Sequence, residues 1–155
     1  MAKPYTVTRT TTVDAPPHRV RALVHDFHAW PQWSPWEDLD PAMRRTFTGP
    51  DAGVGAAYAW EGNRKAGKGS MTVTGDEPER VDIDLRFEKP FPAHNRIELL
   101  MTPLGEQSTE IEWRMHGELS GVMRVLALIR SMDSMIGPDF DKGLARLKRA
   151  AESSG

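Results

Sequence analysis

Alternation of apolar and charged positions dominates the middle of the chain. Val81, Ile83, Leu85 and Phe87 alternate with Arg80, Asp82, Asp84, Arg86 and Glu88. Thr109, Ile111, Trp113 and Met115 alternate in the same way with Glu110, Glu112, Arg114 and His116. A period of two sends successive side chains to opposite faces, so both segments predict strands with one apolar and one wet face, as antiparallel sheets have. The first segment, Tyr5 to Val13, places Tyr5, Val7, Thr11 and Val13 on one face, with only Arg9 out of character. Weaker strands are predicted over Met43 to Thr48, Ala56 to Glu61, Gly69 to Thr74 and Asn95 to Thr102. Turn residues separate them: Gly49-Pro50-Asp51, Gly62-Asn63, Gly75-Asp76-Glu77-Pro78, Lys89-Pro90-Phe91-Pro92 and Pro103-Leu104-Gly105.

Helical spacing appears at both ends of this block. Asp14 and Pro16 mark a helix start, and Val20, Leu23, Val24 and Phe27 recur at three to four residues, predicting a short helix from about Pro17 to Asp26. The run Trp30-Pro31-Gln32-Trp33-Ser34-Pro35-Trp36 follows, and its prolines keep it from becoming a long helix. In the last third, Val122, Val125, Leu126, Ile129, Met132, Ile136, Phe140, Leu144, Leu147 and Ala151 form the apolar stripe of a long helix. Gly137-Pro138 is expected to kink or split it, and Glu152 to Gly155 to fray. Strands followed by one long amphipathic helix predict an α+β domain, a curved antiparallel sheet packed on its C-terminal helix.

Composition narrows the function classes. The 155 residues contain 20 basic and 22 acidic side chains, a formal net charge of −2, which lacks the basic excess of a nucleic-acid binder. No cysteine occurs, which excludes disulfides, thiolate metal sites and a cysteine nucleophile. The longest apolar run, Val125 to Ile129, is far below the ~20 residues of a membrane span, and Met1 to Thr6 lacks a signal-peptide core. A single domain over 1–155 in the cytoplasm, without integral membrane association, is the expectation; monomer and homodimer both stay open.

Several markers together resemble the START-like, or Bet v 1-like, superfamily in its polyketide cyclase/dehydrase-type bacterial branch. They are Val13-Asp14-Ala15-Pro16-Pro17, the tryptophan run from Trp30 to Trp36, Tyr58-Ala59-Trp60-Glu61-Gly62-Asn63, Gly67-Lys68-Gly69-Ser70-Met71, Thr109 to Trp113, and Phe140 to Lys148. The resemblance covers nearly the whole chain. It implies a helix-grip fold: a seven-stranded antiparallel sheet wrapped around the C-terminal helix, with one or two short helices after the first strand, enclosing an apolar cavity. Family members bind lipids, sterols or polyketides there, and a minority catalyse cyclisation or dehydration. No cofactor is implied.

Five Trp and eight Met suit such a cavity, since indole stacks on planar ligands and Met adapts to varied apolar ones. Tyr58, Trp60, Met71, Phe87, Leu99, Met101, Trp113 and Met115 are expected to face inward from the sheet, with Met132, Ile136 and Phe140 opposite them. Trp33 and Trp36 would sit at the mouth or the end of the cavity. The same residues would equally fill a solid core, and Trp packing would equally plug the barrel end. For acid–base chemistry the inward polar candidates are Arg9 and Tyr58, then Asn95 and Arg45. Gly62 to Lys68 fits a phosphate-binding loop, but Gly69 stands where Ser or Thr is needed and a strand follows, so a hairpin is expected. No metal-ligand spacing and no nucleophile elbow occurs; His25 and His28 alone could share a face. Three functions stay open: a carrier of a small hydrophobic molecule, a polyketide cyclase/aromatase or dehydratase, and a co-chaperone-like interaction module.

Overall fold

The computed structural model describes residues 3–36, 40, 42–64, 66–89, 92–119 and 132–153. Strand β1 (Lys3–Val13) leads into helix α1 (Pro17–Val24) and a 3-10 helix (Phe27–Gln32). Six strands follow: β2 (Arg44–Thr48), β3 (Ala57–Glu61), β4 (Lys68–Glu77), β5 (Arg80–Lys89), β6 (Ala93–Gly105) and β7 (Ser108–Leu119). Helix α2 (Met132–Ser153) ends the described chain. The strands form one sheet in the order β1-β7-β6-β5-β4-β3-β2, every neighbour antiparallel. This is the expected curved seven-stranded sheet with its C-terminal helix. No described helix is long and apolar enough to cross a membrane.

The two faces follow the alternation. Val81, Ile83 and Leu85 of β5, and Ile111, Trp113 and Met115 of β7, are buried on the inner face. The outer face carries the intervening charges, many of which pair along a strand or across to its neighbour. Arg80 bonds Asp82 at 2.9 Å and pairs with Glu98, which His116 also contacts; Arg86 bonds Asp84 at 3.0 Å, and Arg114 pairs with Glu112. Burial pushes the Glu98 and Asp84 carboxyls up, but hydrogen bonds and charge from His116 and Arg80, and from His94 and Arg86, outweigh it and hold both below the ordinary range.

Helix α1 begins with Pro17 in its first turn, as expected, but ends at Val24. The Asp26 carboxylate accepts the backbone N–H of His28 at 2.9 Å and starts the 3-10 helix, so that N–H cannot extend α1. Two indoles then satisfy the carbonyls left open at the helix end: Trp30 Nε1 donates to Val24 O at 3.0 Å and Trp33 Nε1 to Leu23 O at 2.8 Å.

Of the two expectations at Gly137-Pro138, a kink or a split, helix α2 overturns the split: Pro138 lies inside one described helix. An interior proline forfeits one backbone hydrogen bond and crowds the preceding turn. Here Phe140, Leu144, Leu147 and Ala151, all buried against the sheet side, hold the helix across that defect. Glu152 and Ser153, placed in the tail by the sequence, are still helical: the Glu152 carboxylate accepts the Asp14 N–H at 2.8 Å and Lys148 Nζ at 2.6 Å. The earlier part of the stripe, Val122 to Ile129, lies outside the described residues, as do the side chains of Met132 and Met135.

Candidate functional site

All five tryptophans belong to one chain of ring contacts on the inner face. Trp30 and Trp33 approach to 4.5 Å between centroids, Trp33 meets Trp113 edge-on at 5.5 Å, and Trp113 stacks on Phe140 at 4.2 Å with planes 6° apart. Trp36 stands edge-on to both Trp113 and Phe140. In the other direction Phe27 touches Tyr58, Tyr58 stacks on Trp60 and Trp60 meets Phe87. The tryptophan-rich segment therefore runs between the sheet and α2. Arg146 fastens it by donating to Ser34 O at 3.3 Å, and Pro35 lies against Gly143.

Burial divides this surface into two ends. Along β5 exposure rises from Val81 at 0% through Ile83 at 1% and Leu85 at 7% to Phe87, which is half-buried. At the closed end α1 packs on β5, β6 and β7, and Leu99, Met101, Trp33, Trp113 and Phe140 are all sealed from solvent. At the other end Tyr5, Trp36, Trp60, Phe87 and Ile136 remain half-buried around buried Tyr58, Met71, Asn95 and Met115. Of the residues singled out from the sequence, Tyr58, Trp60, Met71, Phe87, Met115, Trp36 and Ile136 thus belong to the looser end. Trp33, Leu99, Met101, Trp113 and Phe140 belong to the sealed one. Met132 lies outside the described side chains.

Tyr5 and Asn95 form a polar station at the looser end. Tyr5 reaches from β1 across β7 and donates its hydroxyl hydrogen to Asn95 Oδ1 on β6 at 3.0 Å. Gly117 of β7 makes this possible, because a Cβ there would stand 2.1 Å from Asn95 Oδ1 and 2.7 Å from the Tyr5 oxygen. Burial pushes the Tyr5 phenol above its ordinary pKa, so it stays protonated at neutral pH. Tyr5 was not singled out from the sequence. Its place on the face of Val7 and Val13 was readable, but its partner lies 90 residues away.

Arg9 stays in regular register opposite Trp113 and faces α2. Its side chain lies against Gly137, donates to Thr8 O at 2.8 Å and pairs with Asp141 at 3.4 Å. This arrangement ties β1 to the helix. Tyr58 is ringed by Phe27, Phe47 and Trp60. Arg45 donates to Met43 O at the β2 end of the sheet.

The remaining polar motifs resolve differently. Gly62 to Lys68 is the β3–β4 hairpin, closed by Gly62 N–H to Gly67 O at 2.9 Å, with Trp60 Nε1 donating to Ala66 O; Lys65 lies outside the described residues. His25 and His28 turn to separate partners, Asp76 at 3.1 Å and Asp26 at 2.8 Å. Among the described residues no group of three His, Asp or Glu side chains converges as a metal site.

Comparison with known proteins agrees with this architecture. A protein from Thermobifida fusca is 23% identical, with a TM-score of 0.68 over 94% of this chain and 92% of its own. A protein of unknown function from Staphylococcus aureus is 11% identical, with a TM-score of 0.72 over 99% and 96%. Norcoclaurine synthase from Thalictrum flavum is 14% identical, with a TM-score of 0.65 over 98% and 86%. At these identities the likeness concerns the fold, which is Bet v 1-like. No curated protein sequence matches the chain. The sequence family described as polyketide cyclase/dehydrase and lipid transport matches residues 4–152, so the chain, over nearly its whole length, belongs to that family.

Proposed function

We propose that the protein binds a small, largely apolar molecule between the sheet and the C-terminal helix, at the end of the inner face where burial loosens. The stepwise rise in exposure from Val81 to Phe87 carries this reading. A core filled to organic-crystal density has no reason to leave Trp60, Phe87, Trp36 and Ile136 half-buried together on its own inner side. Aromatic rings with a few placed polar groups are the usual lining of small-molecule sites. The family supports a ligand-binding or cyclase-type role in general terms.

Naphthalene, which has no hydrogen-bonding atom, tests the apolar part of the site. Saturable one-to-one binding with quenching of tryptophan emission is expected, weakened at least fivefold in Trp60→Ala and Phe87→Ala. Absence of saturable binding, or affinities unchanged in both variants, would sink the reading. The cyclase alternative draws on the Tyr5–Asn95 pair, which could polarise a ligand carbonyl; turnover of a polyketone in the wild type that disappears in Tyr5→Phe would favour it. The interaction-module alternative needs an exposed apolar patch. Among the described residues the exposed large apolar side chains are Phe47, Val54 and Leu104, on β2, the β2–β3 connection and β6.

A further inference from the structure

Strand β1 turns Thr6, Thr8, Thr10 and Thr12 to the outer face of the sheet, in register with His116, Arg114, Glu112 and Glu110 of β7. Of these four, Thr6 stands opposite an imidazole. Its Oγ1 lies 3.1 Å from His116 Nδ1, and His116 Nε2 meets the Glu98 carboxylate on β6. Burial pushes the Glu98 carboxyl up, but His116 and Arg80 hold it below the ordinary range, so it is ionised at neutral pH. An ionised carboxylate only accepts hydrogen bonds. It therefore keeps the proton of the neutral imidazole on Nε2 and leaves the Nδ1 lone pair for the Thr6 hydroxyl hydrogen. Hydroxyl, base and orienting carboxylate stand in the order that activates a nucleophile, and Thr6 is exposed to reagents.

We propose that Thr6 is an acylation site: its hydroxyl takes an acyl group from a thioester, with His116 as general base and Glu98 as the residue that positions it. The site lies on the face opposite the ligand surface and does not depend on it. In the step, Thr6 Oγ1 forms a bond to the acyl carbon while the carbon–sulfur bond breaks. The hydroxyl proton passes to His116 Nδ1 and from there to the departing thiolate, so nothing is oxidised or reduced. The surface itself selects this substrate class. The β7 strand is laddered on both sides, to β1 and β6, so its N–H groups are spent and build no oxyanion hole beside the hydroxyl. Arg96, in register opposite His116, supplies positive charge in its place. The acyl carbon must bring its own activation, and a thiolate leaves readily because thiols ionise at about 8.5. The threonine ester is then trapped, since an alkoxide leaves poorly and nothing assists water against it. The outcome is a lasting modification instead of turnover.

S-Acetyl-N-acetylcysteamine is the probe, with the acetylated residues located by peptide mass spectrometry. Thr6 is expected to react on the order of a hundredfold faster than Thr8, Thr10 and Thr12, which share its strand and face. His116→Ala should bring Thr6 down to the rate of the other three, and free imidazole should restore part of the difference. Thr6→Val keeps a β-branched side chain on the strand and should lose the label with the fold unchanged. Glu98→Gln tests positioning by spectroscopy. The nitrogen resonance of His116 Nδ1 should be that of a nitrogen without a proton in the wild type, and should move toward the protonated position in the variant. An unlabelled Thr6, equal labelling of the four threonines, or labelling of Thr6 that persists in His116→Ala overturns the inference. So does a His116 whose Nδ1 carries the proton in the wild type or stays unchanged in Glu98→Gln.

Discussion

Trp113 and Asp76 show how single residues carry unequal loads. Trp113 is sealed among Trp30, Trp33, Trp36 and Phe140, yet its Nε1 finds no acceptor among the described residues. Truncation to Ala therefore removes a packed indole and should cost about 3–5 kcal/mol. Phe keeps most of the ring contact and discards the unsatisfied N–H, whose burial costs about 1–3 kcal/mol, so Trp113→Phe should cost far less than Trp113→Ala in urea melts. Asp76 works electrostatically. Its side chain is 9% exposed and accepts from Arg21 at 2.8 Å and His25 at 3.1 Å, joining β4 to α1. Burial pushes its carboxyl up, but those bonds and charges hold it below the ordinary 3.8. The folded pKa is the lower one, so between the two values the unfolded chain binds more protons and stability rises with pH. The contribution is present above the unfolded value and lost as pH falls through the folded one. Asp76→Asn should cost about 1–3 kcal/mol at neutral pH. Its deficit against the wild type should shrink as the solution is acidified through that window, in denaturant titrations repeated at each pH.

At the scale of elements, α2 meets the tryptophan segment where Gly143 lets Pro35 and Trp113 approach. A Cβ at Gly143 would stand 2.9 Å from the Trp113 ring and 3.0 Å from Pro35. Ala normally gains about 1 kcal/mol over Gly in a helix, but overpacking a rigid core costs about 1–3 kcal/mol. Neither neighbour is the tip of a flexible side chain, so Gly143→Ala should lower the melting temperature despite its better propensity. The sequence made the strands legible because β5 and β7 each pair an apolar face with a charged one, and a one-residue slip would have buried Asp82, Asp84 and Glu112. Periodicity also made the buried stripe of α2 legible, but not its passage through Pro138, which depends on packing against the sheet. The division of inward aromatics into sealed and loose ones was not legible. Trp33 and Trp60 look alike in sequence, and only the carbonyl of Leu23 distinguishes the first as a helix-end anchor. Nor was the Tyr5–Asn95 pair, because it depends on the absence of a Cβ on a third strand.

Across the whole molecule, outer-face charges pair along and across strands while the inner face runs from sealed to loose. A ligand held at the loose end adds its binding free energy to folding. At a hundred times its dissociation constant this amounts to about 2.7 kcal/mol. For a chain of 155 residues that is a rise of about 5–10 °C in melting temperature. Naphthalene should produce it in scanning calorimetry, and should produce a smaller rise in Trp60→Ala. The continuous ring contacts have a spectroscopic consequence of their own. Indoles as close as Trp30 and Trp33 couple their electronic transitions, and the tilt of 46° between their planes makes the coupled pair optically chiral. Far-ultraviolet circular dichroism of this protein should therefore carry an exciton couplet on top of the backbone signal. Secondary-structure content read from that spectrum would be wrong in proportion, and Trp33→Phe should weaken the couplet while the amide infrared band stays the same.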